Sequence, residues 1–217
     1  MPPTVLIPVN RLDRAKGRLA ALLEPTERAE LVRRFMRTIL AAVEGANMKA
    51  VVLTSDEDVF AMVPNGVTIL TEDPNRHGLN EQLEYASDAL SVKELLILHA
   101  DLPLATPEAL HNLIIQAPPS PSATLVIPED GGTNAMLLRP PGLFSLAFGG
   151  GSGDLHRAAA QKAGLEVLQA KEPALALDLD TPADVRELIS HQKGRACETG
   201  RYLIKIGIEE RRLFHSD

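Results

Sequence analysis

The segment around Asp101 joins an apolar run to a carboxylate, a combination that can hold a metal ion. The run 95–104 is apolar apart from His99 and Asp101. An apolar run of this kind is typical of a strand buried on both faces, which would place Asp101 at the strand's carboxyl end. Ligands bind at that edge of an open α/β sheet, so Asp101 could hold a metal ion beside a phosphate. The alternative is an aspartate that only caps the turn before Pro103.

A second pair of carboxylates lies late in the chain, at Asp178 and Asp180. Alternation along an extended segment would put both on the same face, and either could complete a magnesium site with Asp101. The neighbouring Thr181 and Asp184 have the spacing of a capping box, which indicates a structural role for Asp184.

Two further segments carry groups that suit an anion. The turn after the first apolar run is basic, and the segment 148–156 combines four glycines with a helix start, where free amides favour a phosphate. Ser152 and His156 share one helix face. The alternatives are a solvated charge for Lys16, an ordinary N-cap for Ser152 and simple packing for His156. The cations of the basic turn are Arg11, Arg14, Lys16 and Arg18.

The elements that must position these groups alternate between strand and helix. Helices are predicted from Pro25 to Gly45, over 81–90, from Pro107 to Gln116, and from about 149 to 164. Such alternation favours an α/β fold built of right-handed βαβ units on a mostly parallel sheet. A glycine-rich turn before residue 135 holds Thr133 near the sheet edge. Strands are predicted at 5–9, 50–54, 67–70, in the run before Asp101, and at 123–127, 135–138 and 202–206.

Length and composition narrow the class of protein. The 217 residues suit one domain, which we divide into a main unit 1–190 and a C-terminal extension 191–217 packed on it. A net charge of -7, with 3% aromatics and no Trp, disfavours nucleic-acid and membrane surfaces. Cys197 alone cannot form an intramolecular disulfide, and no apolar run suits a signal peptide or membrane span. We therefore expect a cytoplasmic protein.

Taken together, five motifs resemble one family in order and spacing over roughly residues 5–188. The family is the 2-phospho-L-lactate or phosphoenolpyruvate guanylyltransferases, which activate a phosphorylated three-carbon acid in coenzyme F-420 biosynthesis. The motifs are Pro8-Val9-Asn10-Arg11-Leu12 with Ala15-Lys16-Gly17-Arg18-Leu19, Gly78-Leu79-Asn80, Ala100-Asp101-Leu102-Pro103, Gly131-Gly132-Thr133-Asn134 and Asp178-Leu179-Asp180-Thr181-Pro182.

The resemblance implies the three-layer, Rossmann-like fold of nucleotide-diphospho-sugar transferases. It also implies attack of the substrate phosphate on the α-phosphorus of GTP, with Mg²⁺ as cofactor and pyrophosphate as leaving group. Lys16 and Asp101 would be catalytic, and Asp101 and Asp180 would bind the metal. The remaining implied contacts are Thr133, Gly149 and Ser152 to the phospho-acid, and Lys16, Gly78, Leu79 and Asn80 to the nucleotide.

The chain departs from the family pattern at Asn10 and Gly17, where members commonly have Lys and Ser, and its tail is longer. The acid is therefore left open among phosphoenolpyruvate, 2-phospholactate and 3-phosphoglycerate. Asn80 could equally be an N-cap. Other readings are a molybdopterin-guanine or sugar-phosphate nucleotidyltransferase, a glycosyltransferase using Asp178 and Asp180, or a nucleotide-binding protein without catalysis. A homodimer is an option that the sequence does not decide.

Overall fold

A mixed sheet with helices on both faces forms the core of the protein. The computed structural model describes residues 2–12 and 16–211, so Arg14 of the basic turn and the end of the C-terminal extension lie outside the described residues. In that part of the chain the strands are β1 Thr4–Pro8, β2 Lys49–Leu53, β3 Thr68–Leu70, β4 Leu95–Leu98, β5 Ser122–Val126, β6 Ala135–Arg139 and β7 Glu166–Gln169. The helices there are α1 Pro25–Gly45, α2 Glu57–Phe60, α3 Gly78–Leu90, α4 Pro107–Gln116, α5 Ser152–Lys162, α6 Pro173–Ala176, α7 Pro182–Ser190, α8 Gln192–Ala196 and α9 Glu198–Lys205.

The strand order is β3-β2-β1-β4-β6-β5-β7, and only β6 runs antiparallel to its neighbours among the described strands. The predicted α/β fold with a mostly parallel sheet is confirmed. A short connection joins β5 to β6, which antiparallel strands permit. Its consequence is that β6 begins where β4 ends, with Ala135 opposite Leu98. The His99 amide donates to the Asn134 carbonyl at 3.0 Å, so Thr133 is brought to the strand end that carries Asp101.

Successive residues of the central strands point to opposite faces, and each face has its own core. Val5 and Ile7 of β1 pack with α1 and α4, whereas Leu6 packs with α3 and α5. Both cores are largely aliphatic, as the low aromatic content requires. The two helical layers therefore hold the strand ends, and the carboxylates that follow them, in fixed positions.

A third apolar cluster joins the segment after Lys16 to the C-terminal helices. Leu19, Leu22 and Leu23 are buried against Leu188 of α7 and Leu203 of α9. Arg211 adds a bidentate pair to Glu27, at 2.6 and 2.7 Å. The C-terminal helices thus hold the short segment that presents Lys16.

The prediction of a strand at 202–206 is wrong, because these residues belong mostly to helix α9. A short apolar run does not distinguish strand from helix. In the helix, Thr199 and Leu203 are four residues apart and both fully buried, so one face of α9 is covered. Gly200 makes this possible, since a Cβ there would lie 1.9 Å from the Gly194 carbonyl oxygen.

Elsewhere the predicted elements match within a few residues. Helix α3 begins at Gly78, not Glu81, so the motif 78–80 forms its first turn. Helices α1 and α4 occupy the predicted ranges, and the capping box of Thr181 and Asp184 is present in α7. The short elements α2, α6 and β7 carry no sequence pattern strong enough to predict them. Among the described residues, no helix has the length and apolar character needed to cross a bilayer.

Candidate functional site

A cavity of about 660 Å³ opens at the carboxyl end of the parallel strands β1 and β4 and beside the start of α3. Its volume is in the range of small-molecule sites. Lys16, Asp101 and Asp180 line it, together with Gly78 and Leu79 of the first turn of α3. Five of the residues singled out in the sequence therefore share one cavity.

Lys16 lies at the centre of the charged part of this cavity. Its Nζ donates to Asp101 Oδ2 at 2.5 Å and to Asp180 Oδ1 at 2.6 Å, and only 8% of its side chain is exposed. Its backbone is left-handed, with φ of 54°, a conformation that costs a non-glycine residue of order 1 kcal/mol. The burial of Leu19 and its hydrogen bond to the Lys16 carbonyl hold the residue in this conformation. Lys16 is therefore not a solvated charge.

The late aspartates approach Asp101 because their segment is tied to it. The Leu179 amide donates to the Asp101 carbonyl at 3.2 Å, and the Leu179 side chain is fully buried. Asp178 and Asp180 therefore extend on the other side, and one oxygen from each of the three carboxylates lies within 4.8 Å of the others. Asp184 Oδ2 accepts from the amides of Asp180 and Thr181, at 2.8 and 2.6 Å, which fixes the end of this segment.

The electrostatics of the cluster reflect a surplus of negative charge. Burial and the neighbouring charges of Asp101 and Asp180 raise the pKa of Asp178 to about 6. Burial opposes ionisation of Asp101, but the Lys16 ammonium outweighs it and holds the pKa of Asp101 below its ordinary value. Burial likewise disfavours the charged Lys16, yet its two carboxylate partners raise its pKa. One ammonium does not neutralise three carboxylates.

Two buried polar atoms beside the cavity lack protein partners within the described residues. They are Asp101 Oδ1 and His99 Nε2. An unpaired buried carboxylate oxygen is costly, and a cation or ligand that contacts it would remove that cost. Carboxylate oxygens are the ligands that Mg²⁺ prefers, so the donor set of Asp101, Asp178 and Asp180 fits a divalent cation of this kind. His99 is a cavity residue for which the sequence offers no signal beyond its place in the strand before Asp101.

Thr133 and Ser152 form a second polar cluster, which is buried and neutral. Their hydroxyl oxygens are 3.0 Å apart, and Thr133 Oγ1 is also 3.0 Å from His156 Nδ1. The exposed fractions of Thr133, Ser152 and His156 are 3%, 1% and 0%. These residues do not line the charged cavity described above. His156, which the sequence alone could assign to simple packing, is thus hydrogen-bonded to both the hydroxyl cluster and the backbone.

The glycine turn before α5 holds the hydroxyl cluster by its shape. Gly149 has φ of 139° and Gly151 has φ of 69°, conformations that disfavour any other residue. The N-cap is Gly151, and Ser152 is the first helical residue, so the N-cap alternative for Ser152 is wrong. A Cβ on Gly149 or Gly151 would meet nothing within 4 Å, so space remains beside this turn.

Asn80 reaches across to the same turn. Its side chain donates to the Phe148 carbonyl at 3.1 Å and accepts from the Phe148 amide at 2.7 Å. It is therefore not the N-cap of α3, which is His77. The Phe148 ring lies between the rings of His99 and His156, with centroid distances of 5.3 and 4.6 Å. This aromatic contact links the charged cavity to the hydroxyl cluster.

Asn134 is a structural support of the acidic cluster. Its amide nitrogen donates to the carbonyls of Leu175 and Ala176, at 3.1 and 3.0 Å, and contacts Asp178 Oδ1 at 3.4 Å. The motif 131–134 thus serves both clusters, with Thr133 directed to one and Asn134 to the other. The sequence predicts that Thr133 and Asn134 lie at the sheet edge but does not show which residues they contact.

Comparison with known proteins identifies relatives along nearly the whole chain. Residues 3–214 match the family model described as guanylyl transferase, CofC like. The phosphoenolpyruvate guanylyltransferase of Sphaerobacter thermophilus is 38% identical over 196 residues, which cover 88% of this chain and 94% of that protein. The 2-phospho-L-lactate guanylyltransferase of Methanothermobacter thermautotrophicus is 34% identical over 210 residues, covering 95% and 92%.

Solved structures with low sequence identity share the fold. A protein from Desulfovibrio desulfuricans, described as a nucleotide-diphospho-sugar transferase, superposes with a TM-score of 0.76 at 18% identity, covering 97% of this chain and 98% of its own. A nucleotidyl transferase from Methanothermobacter thermautotrophicus gives a TM-score of 0.60 at 16% identity, covering 88% and 97%. The likeness confirms the predicted three-layer architecture.

Proposed function

Because the chain belongs to the family of CofC-like guanylyl transferases, we propose that it transfers GMP from GTP to a phosphorylated three-carbon acid in coenzyme F-420 biosynthesis. The observation that carries the proposal is the cluster of Lys16 with three carboxylates, one after β4 and two in the segment between α6 and α7. Such a cluster suits a magnesium-bound triphosphate, and the cavity beside it has room for a nucleotide.

In this reaction a phosphate oxygen of the acid forms a bond to the α-phosphorus of GTP. The bond from the α-phosphorus to the bridging oxygen of the β-phosphate breaks, and pyrophosphate leaves with that electron pair. The displacement needs no covalent intermediate on the protein, so positioning and charge stabilisation must supply the rate.

Each part of the site has a task in that displacement. Asp101, Asp178 and Asp180 would hold Mg²⁺, which when bound neutralises part of the triphosphate charge. The Lys16 ammonium lies beside two of these carboxylates and would offset negative charge that develops on the phosphates. Gly78 and Leu79 offer the start of α3 to the nucleotide. The hydrogen-bonded pair of Thr133 and Ser152 offers a hydroxyl donor to the phospho-acid, and the turn at Gly149 offers backbone amides.

The direct test is pyrophosphate release by the purified protein. With Mg²⁺ and GTP, release is expected only after addition of phosphoenolpyruvate, 2-phospho-L-lactate or 3-phospho-D-glycerate, and the most active acid identifies the substrate. ATP, CTP and UTP in place of GTP test the choice of nucleotide. No release with any of the three acids, alongside measurable GTP binding, would overturn the proposal in favour of a nucleotide-binding role.

A further inference from the structure

The hydrogen bonds of His156 have a fixed direction, and one backbone group sets it. The Ala147 N–H can only donate, and it donates to His156 Nε2 at 2.9 Å. In a neutral imidazole that accepts at Nε2, the ring proton must lie on Nδ1. Nδ1 is 3.0 Å from Thr133 Oγ1 and is therefore the donor in that contact.

The tautomer of His156 also sets the direction of the hydrogen bonds that the Thr133 and Ser152 hydroxyls make. Thr133 Oγ1 accepts from the imidazole, so its own proton is free to point to another acceptor, and Ser152 Oγ is 3.0 Å away. Ser152 then accepts from Thr133, so its own proton is available to a further acceptor. The chain that begins at the Ala147 amide ends in a hydroxyl donor.

The other tautomer of His156 would reverse every hydrogen bond in this chain, and the outer end would accept instead of donate. If the ring proton were on Nε2, Nδ1 would accept from Thr133, Thr133 would accept from Ser152, and the outer end of the chain would present lone pairs. An anion only accepts hydrogen bonds, so it would be repelled. A doubly protonated ring would direct an N–H at the Ala147 N–H. In agreement, burial, aided by the neighbouring His99, lowers the pKa of His156 to about 4.

We propose that His156 is a positioning residue for the acid substrate: it fixes the Thr133 hydroxyl as a donor to Ser152, and thereby the Ser152 hydroxyl as a donor to an oxygen of the acid's phosphate or carboxylate. This inference rests on the proposed function for the identity of the anion. His156 touches no substrate and acts through Thr133. His156 need not be charged for this role, since the neutral ring protonated on Nδ1 suffices.

The surroundings of His156 hold the tautomer in place. The Phe148 ring packs edge-on against the imidazole, with centroids 4.6 Å apart. Asn80 binds both backbone groups of Phe148, so it also fixes the adjacent Ala147 amide. Asn80 therefore has a task in this network, at the end that lies away from the substrate.

The first test is the tautomer itself, measured by nitrogen NMR of the wild-type protein labelled at histidine. The signals of the two ring nitrogens distinguish the protonated from the unprotonated one. At neutral pH we expect the His156 proton on Nδ1, with the resonance assigned by its loss in the His156→Asn variant. A proton on Nε2 would overturn the inference whether or not the protein is an enzyme.

The second test separates positioning from general structure by kinetics. His156→Leu removes the donor to Thr133, and we expect KM for the acid to rise by at least about tenfold, with little change in KM for GTP. His156→Asn keeps an N–H donor near the position of Nδ1 and should recover much of the loss. His191→Leu, at an exposed histidine, is the matched control and should leave both constants unchanged. Equal effects on both KM values, or no effect on either, would contradict a positioning role.

The design also separates failure of the inference from failure of the proposed function. If the wild-type protein releases pyrophosphate but His156→Leu and His156→Asn have the wild-type KM for the acid, the role of His156 is refuted. The proposed function is then unaffected. If no acid supports turnover, calorimetric titration of each of the three candidate acids still decides the matter. Binding that weakens in His156→Leu supports the donor arrangement, and wild-type protein that binds no acid refutes it.

Discussion

The charged cluster and the hydroxyl cluster differ in where their polarity comes from. Lys16, Asp101 and Asp180 are charged groups at the wall of a cavity, with Asp178 beside them, and Lys16 is paired with residues 85 and 164 positions away in the chain. Thr133, Ser152 and His156 are neutral and buried, and their polarity comes from a backbone amide. The first cluster can hold a cation and a triphosphate, and the second can select a small acid by the direction of its hydrogen bonds.

The largest effect is expected from Asp101→Asn. The substitution keeps the shape but removes the charge at the centre of the acidic cluster, while Lys16 keeps Asp180 as a partner. Turnover should fall by at least about 10²-fold, the scale of losing a key electrostatic group in an active site. Circular dichroism should show an intact fold. The matched control is Asp88→Asn, at an exposed position of α3, which should retain activity. Full activity in the Asp101 variant would remove Asp101 from the site.

A somewhat smaller effect is expected from Asn134→Leu, which tests whether the acidic cluster depends on its support. The carbonyls of Leu175 and Ala176 would lose their donor, and Asp178 would be less well held. Loss of such supporting contacts typically weakens metal binding by about 10–100-fold. Titration with Mg²⁺, followed by calorimetry, measures this directly. Unchanged affinity for Mg²⁺ would show that Asn134 does not position the cluster.

The sequence predicts the charged cluster better than the hydroxyl cluster, for a physical reason. An apolar run before Asp101 predicts a strand that ends at this carboxylate, and the spacing of Asp178 and Asp180 predicts that both lie on one face, so the three can be grouped from the sequence. The tautomer of His156 depends instead on the Ala147 amide, which carries no side-chain signal. The role of Asn80 is hidden in the same way, because its partner is the backbone of Phe148.

The strand predicted at 202–206 shows the other limit of the sequence. Its apolar residues suit either structure, and the burial of Leu203 against the segment after Lys16 selects the helix. Only the tertiary contact decides such a case. By contrast, Lys16, Asp101 and Asp180, from three of the motifs drawn from the family resemblance, meet in the charged cluster.

The hydroxyl cluster is tested alone by Thr133→Val, which removes one oxygen while keeping the shape. His156 Nδ1 and Ser152 would each lose a partner, and KM for the acid should rise about tenfold, because the Ser152 hydroxyl would no longer be fixed as a donor to the charged acid. KM for GTP and affinity for Mg²⁺ should stay close to the wild-type values, since the charged cluster is untouched. If Mg²⁺ binding weakened as much as acid binding, the two clusters would not be separate in function.

The smallest expected effect is a loss of unfolding free energy as the pH falls. The pKa of His156 is about 4 in the folded protein against 6.5 in the unfolded chain, so the unfolded chain binds the extra proton between these values. The neutral ring's contribution to the free energy of unfolding is full above pH 6.5 and is lost as the pH falls to about 4. Denaturant titrations should show a decline over this window about 1–3 kcal/mol larger in the wild type than in His156→Leu. Parallel curves for the two proteins would contradict the buried neutral ring.

The central claim is that the protein transfers the α-phosphate of GTP, with its guanosine, to the acid. GTP carrying radioactive phosphorus at the α position, incubated with Mg²⁺ and the preferred acid, measures this directly. We predict that the label moves into a new compound that contains the acid, while label at the γ position is released as pyrophosphate. An α-label that remains in GTP or GDP, with the γ-label in inorganic phosphate or on the acid, would contradict guanylyl transfer.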